Sequence, residues 1–188
     1  LAKTYFYMAI ANYYKGFYRV SIDNYNQAIE TSWGTANLDF KSRCINNIGI
    51  NYDLLEKYVP ALEKYLETFD LALMLGDSTG AALTKINIGL LYINLGQWDQ
   101  SEKILSQALD YFTTKDNIRG QALANQNLGK VYMDRKLFDE AWPFLIKAKQ
   151  LYQQSGDFYE LGILYISLAT CGLELEKIKL AQQFIDSA

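Results

Sequence analysis

A single short motif recurs along this chain at a constant interval. It has the form Asn-[Ile/Leu]-Gly-x-x-Tyr and occupies residues 47–52, 87–92 and 127–132. Its central small position continues as alanine one interval earlier and one interval later, which gives a column spaced by 40 residues: Ala9, Gly49, Gly89, Gly129 and Ala169. A fixed period of this length over a whole chain is typical of repeat proteins, in which each unit packs only on its neighbours.

Two further columns keep the same phase. The first contains small residues, namely Ser21, Ala61, Ser101, Ala141 and Ala181. Three residues before each of them stands a large apolar side chain, in the order Tyr18, Tyr58, Trp98, Phe138 and Ile178. Small residues let two helix axes approach closely, and a large side chain fills the space at the turn between them. Each period therefore predicts one helical hairpin, and the chain predicts ten helices.

The connecting segments carry the residues that end and begin helices. Within the hairpins lie connectors such as Leu95-Gly96-Gln97 and Arg135-Lys136-Leu137, where a glycine or a polar residue can adopt the conformation that ends the first helix. Between the hairpins lie Gly76-Asp77-Ser78-Thr79, Lys115-Asp116-Asn117 and Ser155-Gly156-Asp157. These segments combine a helix stop with an Asp, Ser or Asn cap for the next helix.

Composition and charge exclude several kinds of partner. Half of the residues are hydrophobic, yet no apolar run approaches the ~20 residues that span a bilayer, so we expect no membrane partner for this domain. The net charge is −3 with acids and bases interspersed, which predicts no nucleic-acid partner for it either. Cys44 and Cys171 fall in the second and fifth units and should not pair. Unpaired cysteines favour a cytoplasmic protein, and a periplasmic sensor domain stays open as an alternative.

The residue inventory disfavours catalysis. The chain has no histidine, which is the commonest general base and metal ligand. Acids such as Asp99, Glu102 and Asp139 lie mostly on predicted solvent faces, and no glycine-rich phosphate loop follows a strand. We therefore expect no catalytic residue, no cofactor and no metal site.

The motifs resemble the tetratricopeptide repeat (TPR) family, whose pattern has Leu-Gly-x-x-Tyr in the first helix and Ala-x-x-x-Phe in the second. Ile88-Gly89-x-x-Tyr92 and Ala61-x-x-x-Tyr65 match this pattern closely. The resemblance implies an all-α fold, a right-handed α-α superhelix of five helix-turn-helix repeats in one domain over residues 1–188. The predicted repeats are 1–36, 37–76, 77–116, 117–156 and 157–188, the last of them truncated. A period longer than the usual ~34 residues is similar to polarity scaffolds, bacterial peptide-pheromone receptors and sensor regions of bacterial regulators.

In that family the ligand groove is lined by the first helix of each unit, so the resemblance implies a binding stripe here. At helical spacing the stripe contains residues of the second, third and fourth units. The predicted groove residues are Asn46, Asn47, Asp53, Ile86, Asn87, Leu90, Ile93, Asn94, Gln126, Asn127, Lys130 and Met133. The column Asn47, Asn87 and Asn127 offers amide donors and acceptors to an extended peptide backbone. The alternative is that these asparagines only bridge neighbouring helices.

Two classes of function follow. In the first, the groove binds a protein or an extended peptide, and the chain is the sensor or docking part of a larger bacterial signalling or transcription-regulatory protein. In the second, the chain is a structural module without a peptide groove, and it self-associates through the open ends of the solenoid or through its convex face. The chain begins at Leu1 inside a helix pattern and ends at Ala188 on a packing position, which predicts a fragment of a longer protein.

Overall fold

The computed structural model describes residues 1–32 and 38–188 of the chain, and these fold into helices joined by short turns. The predicted all-α fold class is confirmed, since the described residues form ten helices and no strand. The helices are α1 Ala2–Tyr14, α2 Tyr18–Thr31, α3 Leu38–Leu54, α4 Tyr58–Met74, α5 Ser78–Asn94, α6 Trp98–Thr114, α7 Ile118–Asp134, α8 Phe138–Ser155, α9 Phe158–Glu174 and α10 Ile178–Ser187. The predicted boundary between the first two repeats, at residue 36, lies outside the described residues.

The helices group into two compact units, Leu1–Leu91 and Tyr92–Ala188, each with its own core. In the first unit α1, α2 and α3 share a cluster of buried side chains: Phe6, Ala9, Ile22, Tyr25, Ala28, Cys44 and Ile48. In the second unit the core lies between α7, α8, α9 and α10, and Leu145, Tyr152 and Leu164 are among its fully buried members. No helix within the described ranges is both long enough and apolar enough to cross a bilayer.

The small-residue columns bring the two helices of a hairpin together, as predicted. In the first hairpin the Ser21 hydroxyl donates to the Ala9 carbonyl at 2.9 Å, which joins the two columns directly. In the second hairpin a methyl group on Gly49 would lie 2.7 Å from the Tyr65 ring. In the fourth, a methyl group on Gly129 would lie 2.5 Å from a Leu145 methyl carbon. Glycine therefore leaves the space that these large partner side chains fill.

The predicted caps form between the hairpins. The Asp77 and Asn117 side chains each accept a hydrogen bond from a backbone N–H three residues on, both at 2.8 Å. Asp157 accepts in the same way from the Glu160 N–H at 3.4 Å. Asp157 also pairs with Arg119 at 3.0 Å, which joins the start of α9 to the first turn of α7. These bonds satisfy backbone donors that the first turn of a helix leaves unpaired.

Every turn inside a hairpin contains one residue in the left-handed backbone region. These residues recur at the repeat interval and are Gly16, Glu56, Gly96, Lys136 and Glu176, with φ between 56° and 77°. A left-handed conformation costs a residue with a Cβ about 1 kcal/mol and costs glycine almost nothing. Glu56, Lys136 and Glu176 therefore carry strain that the equivalent glycines in other repeats do not.

Replacing Lys136 by glycine is expected to stabilise the protein by about 1 kcal/mol, because its φ of 61° suits glycine. The measurement is the free energy of unfolding in denaturant. Lys147→Gly is the matched control, since Lys147 is exposed in the interior of α8 and glycine there should cost about 0.5–1 kcal/mol. A loss of stability in the Lys136→Gly variant would contradict the strain assigned to this turn.

Candidate functional site

Half-buried polar and apolar side chains of α3 and α5 form one surface in the first unit, which we call the α3–α5 patch. Its members are Asn46, Asn47, Ile50, Asp53, Asn87 and Leu90. The Asn87 amide donates to the Asn46 side-chain oxygen at 2.9 Å, which joins the two helices directly. An amide has two donor hydrogens and two acceptor lone pairs, so this bond leaves both side chains with further capacity. Five of the six members were predicted groove residues, and Ile50 belongs to the same helical stripe.

Three predicted groove residues are core residues instead. Ile86 is 1% exposed, and Ile93 and Asn127 are each 5% exposed, so all three side chains are packed in the interior. Ile86 and Ile93 are seven residues apart, so they lie on the same face of α5, and that face is buried. The predicted stripe included them because a stripe drawn at helical spacing is wider than the face that stays open. The Asn127 amide donates to the Leu123 carbonyl of its own helix at 2.8 Å. The asparagine column is therefore accessible at positions 47 and 87 but not at 127.

The remaining predicted residues lie in the second unit. Asn94 and Lys130 are exposed, and Met133 is half-buried against the core of this unit. Gln126 is half-buried, and its side-chain oxygen accepts from the Tyr152 hydroxyl at 2.6 Å. Gln126 therefore holds a buried tyrosine in place, while Asn94 and Lys130 are the predicted residues of this unit most open to a partner.

A pocket of about 260 Å³ opens in the first unit beside the α3–α5 patch. We call it the tyrosine pocket, and its lining residues are Ile10, Tyr13 and Tyr14 of α1, Tyr25 of α2, and Asn47, Ile50 and Asn51 of α3. Asn47 and Ile50 belong to both the patch and the pocket. The Tyr13 and Tyr14 rings meet edge to face with centroids 5.3 Å apart, so two aromatic rings stand together at one side of it.

Two buried phenols of the first unit, those of Tyr25 and Tyr65, are neutral at physiological pH. Burial raises the pKa of Tyr25 to about 12, with a smaller contribution from Cys44, and a side-chain hydrogen bond with Asn47 acts in the opposite direction. Burial also raises the pKa of Tyr65, and the nearby groups Asp53 and Tyr13 raise it further. Asp53 and Tyr13 thus both lie within electrostatic reach of one buried hydroxyl.

Several of these residues were not among the predicted groove residues. The pocket is lined by three such residues, Tyr14, Tyr25 and Asn51. Of these, only Asn51 could have been singled out from the sequence, because it is a polar residue at a position that is apolar in the other repeats. Its equivalents at the repeat interval are all apolar: Ala11, Leu91, Val131 and Cys171. The repeat equivalent of Gln126 on α9 is Ile166, which is 63% exposed and was not among the predicted groove residues.

The patch and the pocket offer hydrogen-bonding, aromatic and apolar groups. No group of three or more residues that could hold a metal ion occurs in the described part of the chain. Cys44 and Cys171 are unpaired and buried, and burial raises the pKa of Cys44 to about 12 and that of Cys171 to about 11, so both are thiols at neutral pH. The groups that a partner could contact include the amides, the aromatic rings, the apolar Ile50 and Leu90, the Asp53 carboxylate and the exposed Lys130.

Paired helices at a 40-residue interval, with small residues at the crossing, define a helical repeat of the tetratricopeptide type. No protein-family model matches the chain. Over 91 residues the chain is 33% identical to "Tetratricopeptide repeat protein 19 homolog, mitochondrial" of Drosophila melanogaster. The matched stretch is 47% of this chain and 24% of that protein, so the match spans about a quarter of its length.

Solved structures confirm the resemblance at the level of the fold. A Rap protein complexed with Competence and Sporulation Factor has a TM-score of 0.85 and 14% identity. The Rap conjugation gene regulator of plasmid pLS20, in complex with the Phr* peptide, has a TM-score of 0.85 and 13% identity. In each case the similarity covers 97% of this chain and 51% of the other chain. This chain has the TPR-type fold that these proteins share, and it spans about half their length.

Proposed function

We propose that this chain binds an extended segment of another protein through the α3–α5 patch, as the sensor or docking part of a larger signalling or regulatory protein. The observation that carries the proposal is the pair of half-buried amides, Asn46 and Asn87, which are linked to each other and retain donor and acceptor capacity. The two Rap structures, one with Competence and Sporulation Factor and one with the Phr* peptide, support binding as the role of such a fold.

The patch has the composition that an extended peptide requires. Ile50 and Leu90 are half-buried apolar side chains beside the amides, and they can exclude water from a bound segment. The amides can hydrogen-bond its main chain, which gives affinity with little dependence on side-chain identity. Since each such bond contributes only about 1 kcal/mol, contacts of the ligand side chains have to provide most of the affinity and the specificity.

Asn87→Ala is expected to weaken the binding of a peptide to the patch about fivefold, because one amide contact worth about 1 kcal/mol is removed. The peptides are short unstructured sequences selected from a display library against the whole 188-residue chain, and their affinity is measured by fluorescence anisotropy. Asn127→Ala is the matched control: it makes the same chemical change at a buried position of the same column.

The Asn127→Ala control should lose some stability and keep its peptide affinity. The Asn127 side chain is buried, and its amide donates to the Leu123 carbonyl of its own helix. Equal affinity of wild type and Asn87→Ala for every selected peptide would argue against the patch. Equal weakening by Asn87→Ala and Asn127→Ala would show that loss of stability, and not loss of a contact, explains the effect.

A second candidate is self-association, favoured by apolar side chains on the last hairpin. Ile178 and Ile185 of α10 and Ile166 of α9 are exposed. Large exposed apolar groups on a protein surface often mark an interface. Light scattering across a wide range of concentration tests this candidate: a mass that stays at one chain throughout would remove it, whereas a rising mass that Ile178→Lys abolishes would support it.

A further inference from the structure

The tyrosine pocket has room for a side chain, since it is much larger than a single water molecule. Its volume is about 260 Å³, whereas one water molecule occupies ~30 Å³ in the liquid. Three helices contribute to it, and of its seven lining residues three are tyrosines and two are asparagines. None of the seven is an Asp, Glu, Lys or Arg residue.

One buried acceptor at this pocket has no hydrogen-bond partner. Asn51 is 0% exposed, and its side-chain oxygen is unpaired. The orientation of the amide is set by its nitrogen, which donates to the Asn47 carbonyl at 2.7 Å. Turning the amide over would place two oxygens against each other, so the unpaired atom is an acceptor. What is missing is therefore an N–H or O–H donor.

The repeat itself does not need a polar residue at this position. The equivalent residues on α5, α7 and α9 are Leu91, Val131 and Cys171, and all three are fully buried. A buried acceptor without a partner destabilises a fold, and an apolar side chain of similar size would not. A residue that breaks the local packing rule without a structural benefit is expected where a ligand is bound.

The surroundings favour a positively charged donor. Tyrosine rings present negative faces, which attract cations and disfavour anions. Asp53 stands two residues after the pocket residue Asn51 on α3, and its carboxylate and Tyr13 both raise the pKa of the buried Tyr65 hydroxyl. A guanidinium group is planar, carries five N–H donors and stacks on aromatic rings, and it is more weakly hydrated than an ammonium group.

We propose that the tyrosine pocket binds the guanidinium group of an arginine side chain, which donates to the Asn51 side-chain oxygen and lies against the rings of Tyr13 and Tyr14. This inference rests on the proposed function, because the arginine belongs to the extended segment that the neighbouring α3–α5 patch binds. Asn47 and Ile50, which the patch and the pocket share, connect the main-chain and side-chain contacts of that segment.

The pocket is tested with N-acetyl-arginine amide and the whole chain, by NMR of the Ile10 and Ile50 methyl groups. We expect saturable shifts in both residues. N-acetyl-citrulline amide has the same length and shape and keeps N–H donors but lacks the charge, and we expect it to bind ~10-fold more weakly. No saturable shift with the arginine probe would overturn the proposal and leave a pocket filled by water only. Equal binding of both probes would overturn the preference for a cation.

Two variants separate binding from folding. Asn51→Leu restores the apolar residue of the other repeats, so we expect unchanged or increased thermal stability together with loss of the arginine-induced shifts. Tyr14→Leu removes an exposed ring of the pocket, keeps the proposal testable if Asn51→Leu fails to fold, and should weaken the probe severalfold. Tyr159→Leu removes an equally exposed ring on α9, outside the pocket, and should change nothing. Normal probe binding by both pocket variants would contradict the assignment.

The two proposals can fail separately. Peptides selected for the α3–α5 patch that keep their affinity when each arginine is replaced by citrulline would remove the arginine pocket and leave the peptide function standing. Binding of the arginine probe by a chain that selects no peptide would remove the peptide function and leave the arginine pocket standing.

Discussion

Replacing Gly120 by alanine is expected to destabilise the second unit by about 2–3 kcal/mol, although it adds only one methyl group. That methyl group would overlap the Phe112 ring, with the Cε1 atom only 2.6 Å away. Phe112 is fully buried and cannot turn towards solvent, and the tight α6–α7 turn joins the two residues. The measurement is the free energy of unfolding in denaturant, followed by the circular dichroism of the helices.

Gly162→Ala is the matched control for this prediction. Gly162 also lies in a helix, but a methyl group there would meet only the Ala188 carbonyl oxygen, at 3.7 Å. Alanine favours a helix over glycine, so this variant should gain about 0.5–1 kcal/mol. Opposite signs of the change in the free energy of unfolding for the two Gly→Ala variants would show that the space available to the methyl group, and not helix propensity, determines the stability of Gly120→Ala. A Gly120→Ala variant as stable as wild type would mean that the Phe112 ring moves aside at no cost.

The second large effect is expected at the contact between Gly129 of α7 and Leu145 of α8. Leu145→Ala alone should cost about 2–5 kcal/mol, because Leu145 is fully buried and its removal leaves a cavity. Gly129→Ala alone should cost about 1–3 kcal/mol, because its methyl group would lie 2.5 Å from one Leu145 carbon and 2.8 Å from another. In the double variant the new methyl group occupies space that the leucine has left, so we expect the double variant to lose about 1–2 kcal/mol less than the sum of the single losses.

The control pairs Leu145→Ala with Gly162→Ala. Leu145 is not among the atoms that a methyl group on Gly162 would meet, so the two effects should add within about 0.5 kcal/mol. Additive losses in the Gly129 and Leu145 pair would show that the hairpin relaxes around the extra methyl group, and that the small-residue column is not required for close packing of α7 and α8.

Much of the fold could be predicted because the chain repeats its packing residues. Helix-ending residues recur at the same interval, and the predicted connectors around Gly96 and Lys136 contain left-handed residues in the structure. The caps at Asp77, Asn117 and Asp157 form where the turn residues indicated them. Local chemistry determines such features, since a cap or a turn depends on a few adjacent residues. The single domain over residues 1–188 and its repeat boundaries stay predictions.

The open part of the helical stripe was predicted less completely. A helical stripe contains every residue that points in one broad direction, but the next helix decides which part of that stripe stays open. Asn87 and Asn127 occupy the same position of the repeat, yet Asn87 bonds a neighbouring helix and is half-buried, while Asn127 bonds its own helix and is buried. No periodicity can distinguish them, because the difference arises from the side chains that surround each one.

The 40-residue period is enough to predict a helical repeat protein, the positions of its turns and the residues at its helix crossings. The pocket could not be predicted in this way, because Tyr14, Tyr25 and Asn51 come from three different helices and the packing of those helices leaves the Asn51 oxygen without a donor. Helix formation and turns depend on neighbours in the chain, whereas a pocket and an unpaired buried atom depend on how distant segments pack.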